Sequence, residues 1–431
     1  MIEAMFARRA YLLNNKRNEM ITIKIRIIET YRGLPKAMYI MFGATVINRF
    51  GEFVMPFLTM YLTLKIGLTI EVAGIIVTVA SLIGIPSSFL GGKLADEFGR
   101  KKTFLIAQAG AALFLVPCAF LKDSVAIVIC LMISTFFHSA VRPAMTAIIT
   151  DLLPPHQRQL GFSLQYLGIN LGVALGPIVA GFLFNNLLPL LFIGDALTSF
   201  ISLFLIWKYI KEVRKDNIQE TIHTEEEKTE SGSTLQVLFK RPHIILFLVI
   251  YIIYSFVYTQ HRFSLPLATS DSFGDSGASK FGVLMSVNAF TVLFFTVAVT
   301  AMTKHFKPLV NIAFAGILYA IGFGMLGLVH TYPLFILSTV IWTLGEILVV
   351  TNFGVHLANH SPGNFRARFN AIGSLSWSIG AALGTSVAGK FIEITDLNNI
   401  WLLTFFLSII GMIAMFGIHI LLEKKQKKIW S

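Results

Sequence analysis

Residues 72–102 read VAGIIVTVASLIGIPSSFLGGKLADEFGRKK. No charged side chain occurs between Val72 and Gly92, a run long enough as a helix to cross the ~30 Å hydrocarbon core of a bilayer. It then stops abruptly at Lys93, Asp96 and the basic trio Arg100, Lys101 and Lys102. This is the pattern of a membrane span ending in a tight turn on the cytoplasmic face, where lysine and arginine accumulate.

The same pattern recurs along the chain. Apolar runs lie at approximately 36–63, 72–94, 103–121, 124–150, 161–184 and 187–209, and again at approximately 243–268, 278–301, 309–329, 332–356, 367–390 and 399–422. Twelve spans in two sets of six are expected, an all-α polytopic membrane protein. Composition agrees: 431 residues with 55% hydrophobic and 13% charged depart from the ~25% charged fraction of soluble domains. The 38 Phe and 33 Gly fit a bilayer protein, because glycine lets membrane helices approach closely. The expected organisation is an N-terminal segment 1–35, a first bundle 36–210, a polar linker 211–242, a second bundle 243–422 and a basic tail 423–431. The linker includes HTEEEKTESGST, too polar to build a core.

Lysine and arginine also set the orientation. If the N-terminus is inside, 28 of the 35 Lys and Arg fall in cytoplasmic segments and four (Lys65, Lys122, Lys280, Lys390) outside, leaving Arg49, Arg142 and Arg262 within or near spans. Both termini and the linker are therefore expected in the cytoplasm, and a bacterial plasma membrane is the expected location. The net charge of +12 is accounted for by orientation and anionic lipid, so no nucleic-acid partner is called for. Cys118 and Cys130 both lie in apolar runs and imply neither a disulfide framework nor a metal cluster. A channel should show a filter-like segment, and a membrane-embedded metalloprotease a His-Glu-x-x-His helix; neither is legible. An enzyme is not expected, nor is a cofactor.

The loop Gly92-Lys-Leu-Ala-Asp96-Glu-Phe-Gly99-Arg100-Lys101-Lys102 resembles the signature between helices 2 and 3 of the major facilitator superfamily, and the six-plus-six arrangement resembles its fold. The resemblance covers residues 36 to 422. It implies a charge network of Asp96 and Arg100 with Asp151 at the end of span 4, which helps close the cytoplasmic face, with Gly99 in the turn. In span 4, Arg142 of His138-Ser-Ala-Val-Arg142-Pro143 is similar to an arginine that assists proton transfer in drug and sugar antiporters; the alternative is a structural ion pair. Span 5 carries Gly168, Gly172, Gly176 and Pro177, which resemble the antiporter motif of the superfamily with Ala180 in place of its penultimate glycine. Gly172, Gly176 and Pro177 are thereby assigned to gating, plain helix packing being the alternative.

Buried acids are costly in a membrane and mark functional positions. Span 1 offers Asn48-Arg49-Phe-Gly51-Glu52, with Arg49 and Glu52 three apart on one helix face. Span 10 offers Glu346 amid an apolar run. Glu52, Arg49, Arg142 and Glu346 are the expected proton-coupling residues. Desolvation favours a protonated acid and a nearby arginine the charged one, so alternating surroundings can load and release a proton. Asp195 in span 6, nearer the outer end, reads as a structural cap or a wet charge. The expected substrate cavity is aromatic, with Phe53, Tyr61, Asn170, Tyr254, Tyr258 and Trp377 as candidates.

Together these features lead to the expectation of a proton-coupled exporter of amphiphilic or lipophilic small molecules, acting as a monomer with protons, substrate and membrane lipid as partners. The alternative is a proton-coupled importer of short peptides or related solutes. Gly345-Glu346 and the NRFGEF of span 1 are similar to oligopeptide importers, but the usual E-x-x-E-R order of span 1 is replaced here by Arg49-x-x-Glu52.

Overall fold

The computed structural model describes residues 31–211, 234–361 and 366–430, all in helices, turns and short connections with no strand among the described residues. Nine helical stretches among these residues are long and apolar enough to cross a membrane, and one of them, Pro242–Thr303, holds spans 7 and 8 in series. Span 11, Arg366–Ile394, and span 1 complete the twelve. The residues expected to form the N-terminal segment and most of the central linker lie outside the described ones.

Span 1 is not the single helix expected. It runs Lys36–Phe50, breaks over Gly51–Phe53, resumes at Val54–Met60 and ends in a π turn at Tyr61–Lys65. Span 7 breaks in the same way: Pro242–Thr259 is followed by irregular residues 260–263 and then by Ser264–Phe273. The polar residues at the breaks, Asn48-Arg49 with Glu52 and Gln260-His261-Arg262, are few and flanked by long apolar runs, which is why a reading by apolar runs passes over them. Broken spans at membrane depth persist only where protein or a wet cavity satisfies the freed backbone groups, and both breaks here are so satisfied. The last span, Asn399–Trp430, continues past its expected end into the lysine-rich tail, because Lys, Glu and Gln are good helix formers once the chain has left the bilayer.

The halves meet along two seams, span 2 against span 11 and span 5 against span 8. Both seams are tight near the ends that the charge bias assigns to the outside. Gly389 faces the backbone of Ile70 and Glu71, and the Glu71 N–H donates to Glu393 Oε2 at 3.0 Å. Gly181 faces the backbone of Ala278 and Ser279, while Asn185 Nδ2 donates to Asp275 O at 2.7 Å. Between the seams Phe57 packs on Phe184 and Phe281, with ring centroids 5.6 and 5.2 Å away. Towards the opposite end residues of both halves, among them Ser81, Gly84 and Ser88 of span 2 with Ser374 and Ser378 of span 11, line an open cleft instead.

Candidate functional site

The site begins at the break in span 1. Phe53 and Val54 open a new half-helix whose first N–H groups have no intrahelical acceptor. Buried Asp195 of span 6 supplies one: its Oδ2 accepts from Phe53 N at 3.1 Å and Val54 N at 3.2 Å. Asn48 Nδ2 donates to Ser199 Oγ at 3.1 Å, one turn further along span 6. Gly51 leaves the room that Thr198 fills, since a Cβ there would collide with that side chain. Span 6 thus fixes the turn that carries Glu52.

At that turn the Arg49 guanidinium is ion-paired with Glu52, and both side chains are about a quarter exposed. His138 of span 4 approaches from the other side, its Nε2 4.0 Å from Glu52 Oε1. The break in span 7 stands on the facing half. Gln260 holds it, donating from Nε2 to Gly384 O of span 11 at 2.8 Å and accepting at Oε1 from Ser264 Oγ at 2.6 Å. His261 is buried against Trp342, and Arg262 Nε donates to His261 Nε2 at 3.1 Å. Span 10 adds Glu346, whose Oε2 accepts from Asn288 Nδ2 of span 8 at 2.8 Å; the same amide lies 3.0 Å from Thr343 Oγ1.

These groups surround a cavity of about 380 Å³ between the halves, lined by Glu52, His138, Tyr258, His261, Arg262 and Trp377 among others. The space adjoining it, lined by Arg49, His138 and Arg142, shares Ser81, Gly84, His138 and Ser139 with that cavity and leads into the cleft. A chain of polar side chains therefore runs from the middle of the molecule to its open end. Arginine, histidine and glutamate here can bind charged groups and pass protons; among the described residues no group of three or more His, Cys, Asp or Glu is placed to hold a metal ion.

The structure distributes the expected site residues unevenly. Glu52, Arg49 and Arg142 line the cavity system, and Glu346 lies beside Tyr258 at its edge. Arg142 has no carboxylate within 4.0 Å among the described residues, so a structural ion pair does not explain it. Tyr258 and Trp377 line the cavity. Phe53, Tyr61 and Tyr254 do not: Phe53 packs on Phe50, Tyr61 on Phe192, and the Tyr254 hydroxyl donates to Ile312 O in the packing of the second half. A membrane helix can bury aromatic rings on any face, so ring content alone did not select the cavity face. Asn170 bonds only to its own helix, Nδ2 donating to Tyr166 O. Arg262 and His138 were present in the sequence but unassigned; Arg262 stood out as an arginine left within a span.

The expected gating residues fall into two groups. Arg100 is ion-paired with Asp151 and donates to Ala147 O at 3.0 Å, tying span 3 to span 4 within the first half. Gly99 has φ +105°, a left-handed turn that glycine accommodates. The side chain of Asp96 lies outside the described ones. In span 5, Gly172 and Gly176 seat span 1: a Cβ on Gly172 would stand 2.7 Å from Phe50 N, and Gly176 faces Phe50 O. The helix runs unbroken as Pro155–Asn186 through Pro177, whose carbonyl faces Gly282 of span 8.

Comparison with known proteins extends the picture. The chain is 25% identical over 346 residues to the uncharacterised MFS-type transporter YqjV of Bacillus subtilis (strain 168), covering 79% of this chain and 82% of that protein. Its fold matches the crystal structure of the nucleoside transporter NupG with a TM-score of 0.74 at 14% identity, covering 89% and 99% of the two chains. It matches that of the peptide transporter POT with a TM-score of 0.71 at 16% identity, covering 90% and 95%. The expectation of drug export is overturned by these neighbours, whose cargoes are a nucleoside and peptides. Its main support, the glycines of span 5, is engaged in seating spans 1 and 8, a packing role that carries no direction. The Major Facilitator Superfamily pattern matches residues 41–385, and the chain belongs to that superfamily of transporters.

Proposed function

We propose that the protein is a proton-coupled importer of a small polar solute, short peptides or related compounds being the first class to test. The observation that carries this reading is the placement of opposite charges on facing halves of one cavity. Glu52 and His138 line it on the first half, with Arg49 paired to Glu52 beside it; Arg262 lines it on the second, with Glu346 at its edge. A cavity for lipophilic cargo has no use for so many ionisable groups, each costly at membrane depth unless solute, water or a partner meets it. A solute with an ammonium and a carboxylate meets both signs.

In this reading Glu52 and Glu346 are the proton carriers. The described state closes the seams expected to lie outside and opens the cleft expected to lie inside, so it is an inward-facing state in which solute and proton leave together. Return to the outward-facing state requires the halves to rock about the cavity, separating the Gly181 and Gly389 contacts. The test is uptake of labelled dialanine and of a labelled nucleoside by right-side-out vesicles, with the outside more acidic than the lumen. Accumulation of dialanine that a protonophore abolishes supports the reading. Gradient-independent equilibration, or loss of preloaded solute driven by the inward proton gradient, contradicts it.

A further inference from the structure

The same dipeptide occurs at both interruptions, Arg49-Phe50 ending the helix before the break in span 1 and Arg262-Phe263 within the break in span 7. Each arginine stands near the interruption of the first span of its six-helix half, Arg49 in the last helical turn before it and Arg262 inside it. They differ in what they meet. Arg49 is paired with Glu52, three residues on. The residue three on from Arg262 is Leu265, which is buried in the core.

Arg262 therefore has no acid paired with it three residues on. Its side chain is exposed to the cavity, its described hydrogen bond goes to the neutral acceptor His261 Nε2, and among the described residues it has no carboxylate within 4.0 Å. The two acids within its electrostatic reach are already engaged: Glu52 by Arg49, and Glu346 by Asn288. Arg142, on the opposite half and also exposed without a carboxylate partner among the described residues, lines the adjoining space towards the cleft. A guanidinium presents a planar fork of donors that matches a carboxylate with two parallel hydrogen bonds. A water-filled cavity can keep such a group solvated, but only an anion returns both its charge and its geometry.

We propose that Arg262 is the receptor for a carboxylate group of the transported solute, with Arg142 lining the path of that group to the inner cleft. The proposal rests on reading the cavity as the solute site, and it narrows the cargo to compounds bearing a free carboxylate. It also gives the proton a partner: a monocarboxylate on Arg262 and a proton on a neighbouring acid cross together with no net charge, whereas a zwitterion and a proton carry one positive charge.

The test is equilibrium binding to the full chain in lipid nanodiscs at one pH, followed by intrinsic fluorescence, since Trp377 lines the cavity and Trp342 packs on His261. The probes are three acids, dialanine, lactate and benzoate, each paired with the amide that lacks its carboxylate charge. At least one acid is expected to bind about ten- to hundred-fold more tightly than its amide, the range for a charge-assisted contact. Arg262→Gln should reduce that acid to the affinity of its amide while leaving the amide unchanged, and Arg262→Lys should recover part of the difference. The proposal is overturned if no acid binds more tightly than its amide, or if Arg262→Gln weakens acid and amide equally. The comparison on the unaltered protein stands even if a variant does not fold. Binding needs neither gradient nor direction: acid-selective binding without proton-driven uptake would refute the importer reading alone. Equal uptake of acids and amides would refute the carboxylate receptor alone.

Discussion

Asp195 is the strongest lever on the site that does not touch the cavity. Its carboxylate accepts two backbone N–H groups at the start of the second half-helix of span 1, immediately after Glu52, and it is almost fully buried. Asp195→Ala takes the side-chain acceptor from both donors, leaving the Phe53 N–H with Gly51 O alone at 2.7 Å. Hydrogen bonds inside membrane proteins average ~0.6 kcal/mol and reach ~1.7 kcal/mol, while a buried donor left unsatisfied costs about 1–3 kcal/mol. One donor left unsatisfied and one losing a shared acceptor give an expected destabilisation of about 1–3 kcal/mol. Asp195→Asn keeps one amide oxygen in place and should cost about 1 kcal/mol or less. Unfolding equilibria in mixed detergent and lipid micelles measure both, and initial rates of solute uptake at matched amounts of folded protein report the effect on Glu52. The expected order is wild type, then Asn, then Ala, in stability and in uptake. An alanine variant within ~0.5 kcal/mol of wild type, with unchanged uptake, would show that the half-helix holds itself and that span 6 does not position the turn.

Three further outcomes are expected. Gly181→Val places a branched side chain against Ala278 O, where even a Cβ would lie 2.7 Å away, so the outer seam should fail to close; spin labels across spans 5 and 8 should show a longer outer distance, and an unchanged distance would count against the seam as the outer closure. Glu346→Gln preserves an acceptor for Asn288 but removes the ionisable group; proton-driven accumulation should fall at least tenfold while counterflow exchange of solute persists, and loss of both would point to recognition instead of coupling. Arg100→Ala removes the tie between spans 3 and 4; it should lower stability by about 1–2 kcal/mol, whereas a change confined to the distance between the halves would indicate a direct gating contact.

Much of the architecture was legible because a bilayer imposes a coarse rule. Uncharged runs such as 72–92 must be helical and must cross, so the spans follow from hydropathy, and the basic loops suggest their direction. The breaks in spans 1 and 7 were not legible, because the contacts that hold them, Asp195 to Phe53 and Gln260 to Gly384, join residues far apart in sequence. The site was legible where charge is expensive. Glu52, Arg49 and Arg142 all line the cavity system, and each was conspicuous as a charged residue at membrane depth. Aromatic residues gave no comparable signal: Tyr258 and Trp377 line the cavity, while Phe53, Tyr61 and Tyr254 fill gaps between helices. The glycines of span 5 were read as a mark of export. In the structure they mark where a backbone comes close, which any alternating-access transporter needs whichever way its solute travels.

Direct observation of the proton tests the central claim most closely. Purified protein is reconstituted in liposomes holding a pH-sensitive dye, with no initial gradient, and a carboxylate-bearing solute found to bind is added outside. Proton-coupled import through the cavity predicts acidification of the lumen on addition of solute, at a rate that saturates with solute concentration, and its loss when Glu52→Gln and Glu346→Gln are combined. Alkalinisation of the lumen, or acidification that survives in the double variant, would contradict it.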